Sequence, residues 1–167
     1  MQTTKAIMHH QQVEQKLNRL AWQVYEKNTE VSTLIIAGID QRGYAIAQQL
    51  KSYLNAISNI KIELLKINVD KEKPSNETTL LDRDIAKFSN FPVLVIDDVL
   101  NSGRTLVYAL SPFIKNKHPQ ISTLVLVDRN HRRFPVYADF VGMSLATTMQ
   151  EHVEVTFQNG QFEVFLQ

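Results

Sequence analysis

Apolar residues recur at helical spacing near the start of the sequence. Within residues 11–28 they fall at Val13, Leu17, Leu20, Ala21 and Val24. Steps of three and four residues place these positions on one face, so the pattern predicts an amphipathic helix. The same reasoning predicts helices over residues 44–54 and 104–116. His9 and His10, just before the first helix, are interpreted as part of a frayed terminus.

Short runs of consecutive apolar residues predict the strands of a buried sheet. The strongest run is Phe-Pro-Val-Leu-Val-Ile at residues 91–96, which is apolar without alternation. Further strands are predicted over residues 33–37, 61–69, 121–127 and 138–142. Because strands alternate with helices, we predict an α/β fold with an open, mainly parallel sheet flanked by helices. The polar segments 38–43 and 97–103 are predicted turns between a strand and the following helix.

Two further segments depart from this alternation. Residues 151–156 and 161–165 flank Asn159-Gly160, a turn sequence typical of a two-residue β-hairpin, so we predict a C-terminal antiparallel hairpin. Residues 70–87 are rich in Lys, Glu, Asp, Asn and Thr. Long loops in compact domains are usually functional or mobile, and we predict a flexible lid over residues 66–87.

Composition narrows the class of protein. A chain of 167 residues that is 44% hydrophobic fits one domain spanning residues 1–167. Its 18 basic and 17 acidic side chains give a net charge of +1, so no global basic field draws it to nucleic acid, which leaves only a local patch. The absence of cysteine excludes disulfides and thiolate metal sites. No apolar run approaches the ~20 residues of a membrane span, and the expected location is the cytoplasm.

The segment 93–105 carries the strongest chemical signal. Asp97 and Asp98 follow four apolar residues, at the strand end where open α/β sheets bind ligands. A carboxylate pair suits the two hydroxyls of a ribose and tolerates nearby Mg²⁺. The next residues open a helix, whose free N–H groups and dipole favour a phosphate. Gly103 permits close backbone approach, and nearby hydroxyls add donors.

This segment resembles the phosphoribosyl pyrophosphate (PRPP) signature of type I phosphoribosyltransferases, in which four apolar and two acidic residues precede a small loop ending in Thr. The resemblance implies that Asp97 and Asp98 hold the ribose hydroxyls. It assigns the 5′-phosphate to Asn101, Ser102, Gly103, Arg104 and Thr105. It assigns the pyrophosphate to the loop residues Ile39, Asp40, Gln41, Arg42 and Gly43. The catalytic residues it implies are Asp97, Asp98 and Arg42.

Residues 126–135 and 138–142 are similar to one branch of that family, the pyrimidine operon attenuation regulators, whose bifunctional members are also uracil phosphoribosyltransferases. The similarity covers most of the chain. It implies that the nucleobase or RNA is contacted by Asp128, Arg129, His131 and Arg132. The chain departs from the branch in lacking a Tyr-Arg-Asp-Asp run at residues 65–70, in Asn101 replacing an aromatic residue, and in Asn130 replacing a glycine.

The resemblance implies an enzyme that transfers phosphoribose from PRPP to a pyrimidine base, uracil first, with release of pyrophosphate. Mg²⁺ is expected to enter with PRPP and without a direct protein ligand. An asparagine cannot ionise and so cannot act as a general base, which disfavours a purine at Asn101. Two alternatives stay open, a nucleotide-sensing regulator that binds an RNA leader with weak or no catalysis, and a purine phosphoribosyltransferase. A homo-oligomer, dimer or larger, is expected in each case.

Overall fold

The computed structural model describes residues 4–167, which form two sheets and three α-helices. A short 3-10 helix, Ala86–Phe88, precedes the fifth strand. In chain order the strands and helices are β1 (Lys5–Met8), α1 (His10–Lys27), β2 (Thr33–Ile39), α2 (Asp40–Ile57), β3 (Lys61–Asn68), β4 (Leu80–Leu81), β5 (Val93–Leu100), α3 (Arg104–Lys115), β6 (Ile121–Asp128), β7 (Phe140–Ser144), β8 (Val153–Gln158) and β9 (Gln161–Leu166).

The larger sheet has the strand order β4-β3-β2-β5-β6-β7 and is parallel except for β4. Alternate residues of β5 bury opposite faces, as the two-residue period of a strand requires. Leu94 and Ile96 pack with α1 and α2, whereas Val93 and Val95 pack with α3. Because β2, β5 and β6 are parallel neighbours, their carboxyl ends lie side by side at one edge. The predicted α/β class with a mainly parallel sheet is confirmed.

A second sheet, in the order β1-β9-β8, is antiparallel throughout. The predicted hairpin at Asn159-Gly160 is confirmed as β8 and β9. Strand β1 adds to this hairpin, with Ala6 opposite Phe165. The frayed-terminus interpretation of the two histidines was wrong. His10 Nδ1 accepts the Phe162 N–H at 3.1 Å, and the His9 N–H donates to a side chain at 2.9 Å.

The two predicted turns are shorter than the sequence pattern suggests. Strand β2 continues to Ile39 and α2 begins at Asp40. A Cβ on Gly38 would lie 2.4 Å from the Tyr44 Cα, so the glycine lets the helix pack directly on the strand end. Strand β5 likewise continues through the acidic pair to Leu100, because it stays paired with β6. Within residues 4–167 no helix is both long and apolar enough to cross a membrane.

Candidate active site

A cleft of about 230 Å³ opens at the carboxyl end of β5. It brings together the acidic pair, the following loop and Arg42, as the sequence predicts. Polar side chains of both charges and a few apolar residues surround the cleft. The lining residues are Arg42, Lys71, Asp97, Asp98, Val99, Leu100, Asn101, Ser102, Gly103, Arg104, Thr105, Leu106, His152 and Val153.

Asp97 and Asp98 stay almost fully buried although they line the cleft, at 5% and 4% exposure. Burial, and then the charge of Asp98, raise the pKa of Asp97 well above its usual value, against the lowering effect of Lys71. Asp98 Oδ2 lies 3.6 Å from Arg42 Nη1. A buried carboxyl pair is stabilised by any partner that brings positive charge or hydroxyl donors. The cleft therefore has an acidic side suited to a polyhydroxylated or cation-bearing ligand.

The loop after β5 ends in a left-handed Gly103, with φ of 87°, immediately before α3 begins. The Ser102 carbonyl accepts the backbone N–H groups of Arg133 and Phe134, at 2.9 and 3.1 Å. A Cβ on Gly103 would lie 2.5 Å from Val136 Cγ1. The loop is therefore held from outside by residues 133–136, with the amino end of α3 at the cleft, an arrangement that favours a phosphate.

The predicted pyrophosphate residues are divided between several environments. Arg42 reaches the cleft from the first turn of α2. Asp40, with φ of 51°, instead faces the segment after β3, where its Oδ1 accepts the Val69 N–H at 3.1 Å and its Oδ2 lies 3.8 Å from Lys71 Nζ. Gln41 lines a neighbouring cavity. The other two residues, Ile39 and Gly43, are buried and do not line the cleft.

The predicted base or RNA residues, which lie at the end of β6 and in the loop after it, do not line the cleft. Arg129 is buried, and its guanidinium donates to Asn101 Oδ1 at 2.8 Å, to Thr147 Oγ1 at 3.0 Å and to the carbonyls of two nearby residues. His131 Nε2 lies 2.6 Å from the Thr147 carbonyl. Asp128 Oδ1 accepts the Asn130 N–H at 2.8 Å. Arg129 thus attaches residues 147–151 to the loop after β5, and His131 contacts the same segment at Thr147, whereas the Asp128 side chain contacts only its own loop.

Arg132 differs from its neighbours because it is exposed. It has no hydrogen bond or ion pair with the part of the chain described by the structure. A role for Arg132 in binding RNA or a base therefore stays a prediction.

Sequence reasoning missed Lys71, His152 and Val153, all of which line the cleft. Lys71 carried a usable signal, since it is a cation at the start of the polar segment 70–87. The other two had none, because they reach the cleft only through the second sheet, where the His152 N–H bonds the Gln167 carbonyl at 2.8 Å.

Arg129→Lys is expected to lower the free energy of unfolding by about 2 kcal/mol, since hydrogen bonds to charged groups contribute about 1.5–3 kcal/mol each and a lysine replaces only part of the set. A lysine keeps the charge but lacks the planar fork that serves Asn101 and Thr147 together. Urea denaturation measures the change. Arg132→Lys is the matched control, and a variant at Arg129 as stable as this control would contradict the bracing role.

The cleft and fold can be compared with known proteins. A family model described as a phosphoribosyl transferase domain matches residues 3–158. The hypoxanthine phosphoribosyltransferase of Trypanosoma cruzi superimposes with a TM-score of 0.79 at 17% identity, covering 96% of this chain and 95% of that one. A hypoxanthine-guanine phosphoribosyltransferase from Bacillus anthracis gives 0.72 at 20% identity, covering 86% and 83%. The chain belongs to the phosphoribosyltransferase family and is a pentosyltransferase enzyme.

The proteins related in sequence indicate which branch of the family the chain resembles. Bifunctional protein PyrR of Limosilactobacillus reuteri is 33% identical over 175 residues, which cover 96% of this chain and 97% of the relative. Bifunctional protein PyrR of a Synechocystis species is 34% identical over 159 residues, covering 92% and 89%. The resemblance to this branch is therefore confirmed.

Proposed function

We propose that the enzyme transfers phosphoribose from PRPP to uracil and releases pyrophosphate. The observation that carries the proposal is the cleft itself, where Asp97 and Asp98 face Arg42 beside the loop at the start of α3. This loop suits a 5′-phosphate, the acidic pair suits a ribose, and Arg42 suits a diphosphate. The three groups follow in the order in which PRPP carries them.

The chemistry asks for positioning and charge more than for covalent participation. The bond from the anomeric carbon to pyrophosphate breaks, the bond from that carbon to the base nitrogen forms, and the nitrogen loses its proton to solvent. The carboxylates of Asp97 and Asp98 favour the positive charge that develops on the ribose. Arg42, Lys71 and the amino end of α3 hold the negative groups at either end of the substrate.

A magnesium ion fits this cleft only in company with substrate oxygens. Nowhere in residues 4–167 does a group of three or more His, Cys, Asp or Glu side chains meet in a way that could hold a metal. Asp97 and Asp98, the two carboxylates of the cleft, would therefore hold the PRPP that carries the ion and would not form a metal site by themselves. When bound, Mg²⁺ neutralises charge on the diphosphate leaving group.

The preference for a pyrimidine is supported by Asn101. Arginine can only donate hydrogen bonds, so the amide oxygen of Asn101 points toward the Arg129 guanidinium. The NH₂ group of Asn101 therefore points away from Arg129. An amide in this position neither ionises nor accepts a proton from a purine ring. The resemblance to a branch whose bifunctional members act on uracil supports the same base.

A second function, binding of an RNA leader by a nucleotide-sensing regulator, is favoured by one surface of α1. Lys16 and Arg19 line a shallow cavity there, with glutamines around them. Arg19 is already engaged, because its Nη2 donates to the Val141 and Gly142 carbonyls at 2.9 Å each.

Trp22, on the same helix and 47% exposed, supports a homo-oligomer.

The experiment is an assay of pyrophosphate release from PRPP and Mg²⁺ with each of uracil, cytosine, orotate, guanine, hypoxanthine, xanthine and adenine. Release with uracil and not with the purines is expected, because Asn101 cannot act as a base toward a purine ring. Release with a purine would overturn the reading of Asn101. No release with any base, together with a melting temperature raised by UMP, would favour the regulator.

A further inference from the structure

Arg42 contacts a carboxylate on each side of its guanidinium. Its Nη1 lies 3.6 Å from Asp98 Oδ2 on β5, and its Nη2 lies 3.1 Å from Glu154 Oε1 on β8. The two carboxylates belong to different sheets. The cation predicted to hold the diphosphate is therefore already paired, and one of its partners comes from outside the cleft.

Glu154 stands on the outer side of Arg42. It lines a second cavity of about 390 Å³, together with Gln41, Gln48 and Thr156. Arg42 lines both this cavity and the cleft, so its side chain forms the wall between them. Glu154 consequently has space to move away from Arg42 without entering the cleft.

The two carboxylates differ in how easily they can move away from Arg42. The Asp98 side chain is 6% exposed, and its Oδ1 accepts the Val99 N–H at 2.8 Å. The Glu154 side chain is 32% exposed, and its second oxygen accepts the Gln167 amide at 2.9 Å. Phosphate and carboxylate oxygens are equivalent acceptors for a guanidinium. An anion that binds Arg42 therefore displaces Glu154 more readily than Asp98.

We propose that Glu154 competes with the diphosphate of the substrate for Arg42 and thereby sets the affinity of the cleft for that group. The identity of the anion rests on the proposed function. Lys71, the other cation at this end, has the same arrangement, with Asp40 as its carboxylate at 3.8 Å. Internal carboxylates thus occupy the anion-binding side chains until a ligand replaces them.

The test measures binding of inorganic pyrophosphate with Mg²⁺ by titration calorimetry. Glu154→Gln keeps the shape and the acceptor for Gln167 but removes the charge that pairs with Arg42. Since the ion pair is partly exposed, the expected effect is modest, a Kd lower by about 3- to 5-fold. Glu163→Gln is the matched control, since Glu163 lies on the neighbouring strand β9 and contacts His9 instead. The Kd of the Glu163→Gln variant for pyrophosphate is expected to equal that of the unchanged protein.

Two results would overturn the proposal. A weaker or equal affinity in Glu154→Gln would mean that Glu154 orients Arg42 and does not compete for its ligand. Pyrophosphate binding by neither the unchanged protein nor the variant would mean that no diphosphate uses Arg42. In a protein that also carries Arg42→Gln, the change Glu154→Gln is expected to leave the Kd for pyrophosphate unaltered, because the two side chains act through one contact. Since the readout is binding, it stands even where the enzyme assay shows no transfer to any base.

Discussion

The Asp97→Asn/Asp98→Asn double variant is expected to lower kcat/KM for PRPP by on the order of 100-fold or more, as removal of one well-placed electrostatic group commonly does. Both side chains line the cleft beside Arg42, and asparagine keeps their shape while removing the charge that favours a cationic ribose. Pyrophosphate release measured over a range of PRPP concentrations gives the ratio. Glu30→Gln, an exposed carboxyl remote from the cleft, is the control.

The same change at Asp97 is expected to stabilise the protein. Burial raises the pKa of Asp97 in the folded state, so folding disfavours its charged form. The resulting destabilisation is absent below the unfolded pKa, near 3.8, and grows as the pH rises toward the raised folded pKa. Asp97→Asn removes this destabilisation because the amide carries no charge. Its oxygen can still accept the Asp98 N–H, so the hydrogen bond is kept. At pH 8 its melting temperature should exceed that of the unchanged protein by about 2–5 °C.

Opposite movements of activity and stability are what distinguish a functional acid from a structural one. A loss of both in Asp97→Asn would indicate that the carboxyl holds the loop after β5 together. Full activity in the double variant would remove Asp97 and Asp98 from the ribose-binding role. Thermal denaturation at pH 5 and pH 8 separates these outcomes, because the stabilisation should shrink at the lower pH.

Gly103→Ala is expected to raise the KM for PRPP at least 10-fold and to lower the free energy of unfolding by about 3 kcal/mol, combining backbone strain with overpacking. Gly103 has φ of 87°, and an added Cβ would lie 2.5 Å from Val136 Cγ1. The loop must then move, and with it the N–H groups that are expected to hold the 5′-phosphate. Steady-state kinetics and urea denaturation give the two numbers.

Gly160→Ala is the matched control for this prediction. Gly160 has a similar φ of 78°, but an added Cβ would meet nothing within 4 Å. This variant should therefore show only the backbone strain, about 1–2 kcal/mol, and an unchanged KM. Equal stabilities of the two variants would mean that residues 133–136 adjust freely and that the steric argument at Gly103 fails.

The sequence predicted those parts of the site that are contiguous in the chain. The acidic pair and the loop to Thr105 follow a buried strand directly, so strand and helix rules place them at the sheet edge without any long-range information. Lys71 and His152 could not be placed in this way, since they reach the cleft from the segment after β3 and from the second sheet. Arg129 was predicted to contact a base or RNA, because the pattern of charges alone does not reveal that its guanidinium is buried and bonded to Asn101.

The fold shows the same division between local and distant information. The hairpin at Asn159-Gly160 has its own turn signal and was predicted, with strands one or two residues off. Strand β1 has four residues and becomes a strand only by pairing with β9, about 160 residues away in sequence, so no local pattern marks it.

The two walls of the cleft differ in how readily they open. Strand β5, which carries the acidic pair, lies in the interior of the six-stranded sheet between β2 and β6. Lys71, which also lines the cleft, belongs to the segment that leads to the two-residue edge strand β4. Local unfolding begins where few buried contacts and few protected amides hold the backbone. We therefore expect the Lys71 side of the cleft to fluctuate open and to exchange ligand with solvent, while the side formed by Asp97 and Asp98 keeps its geometry.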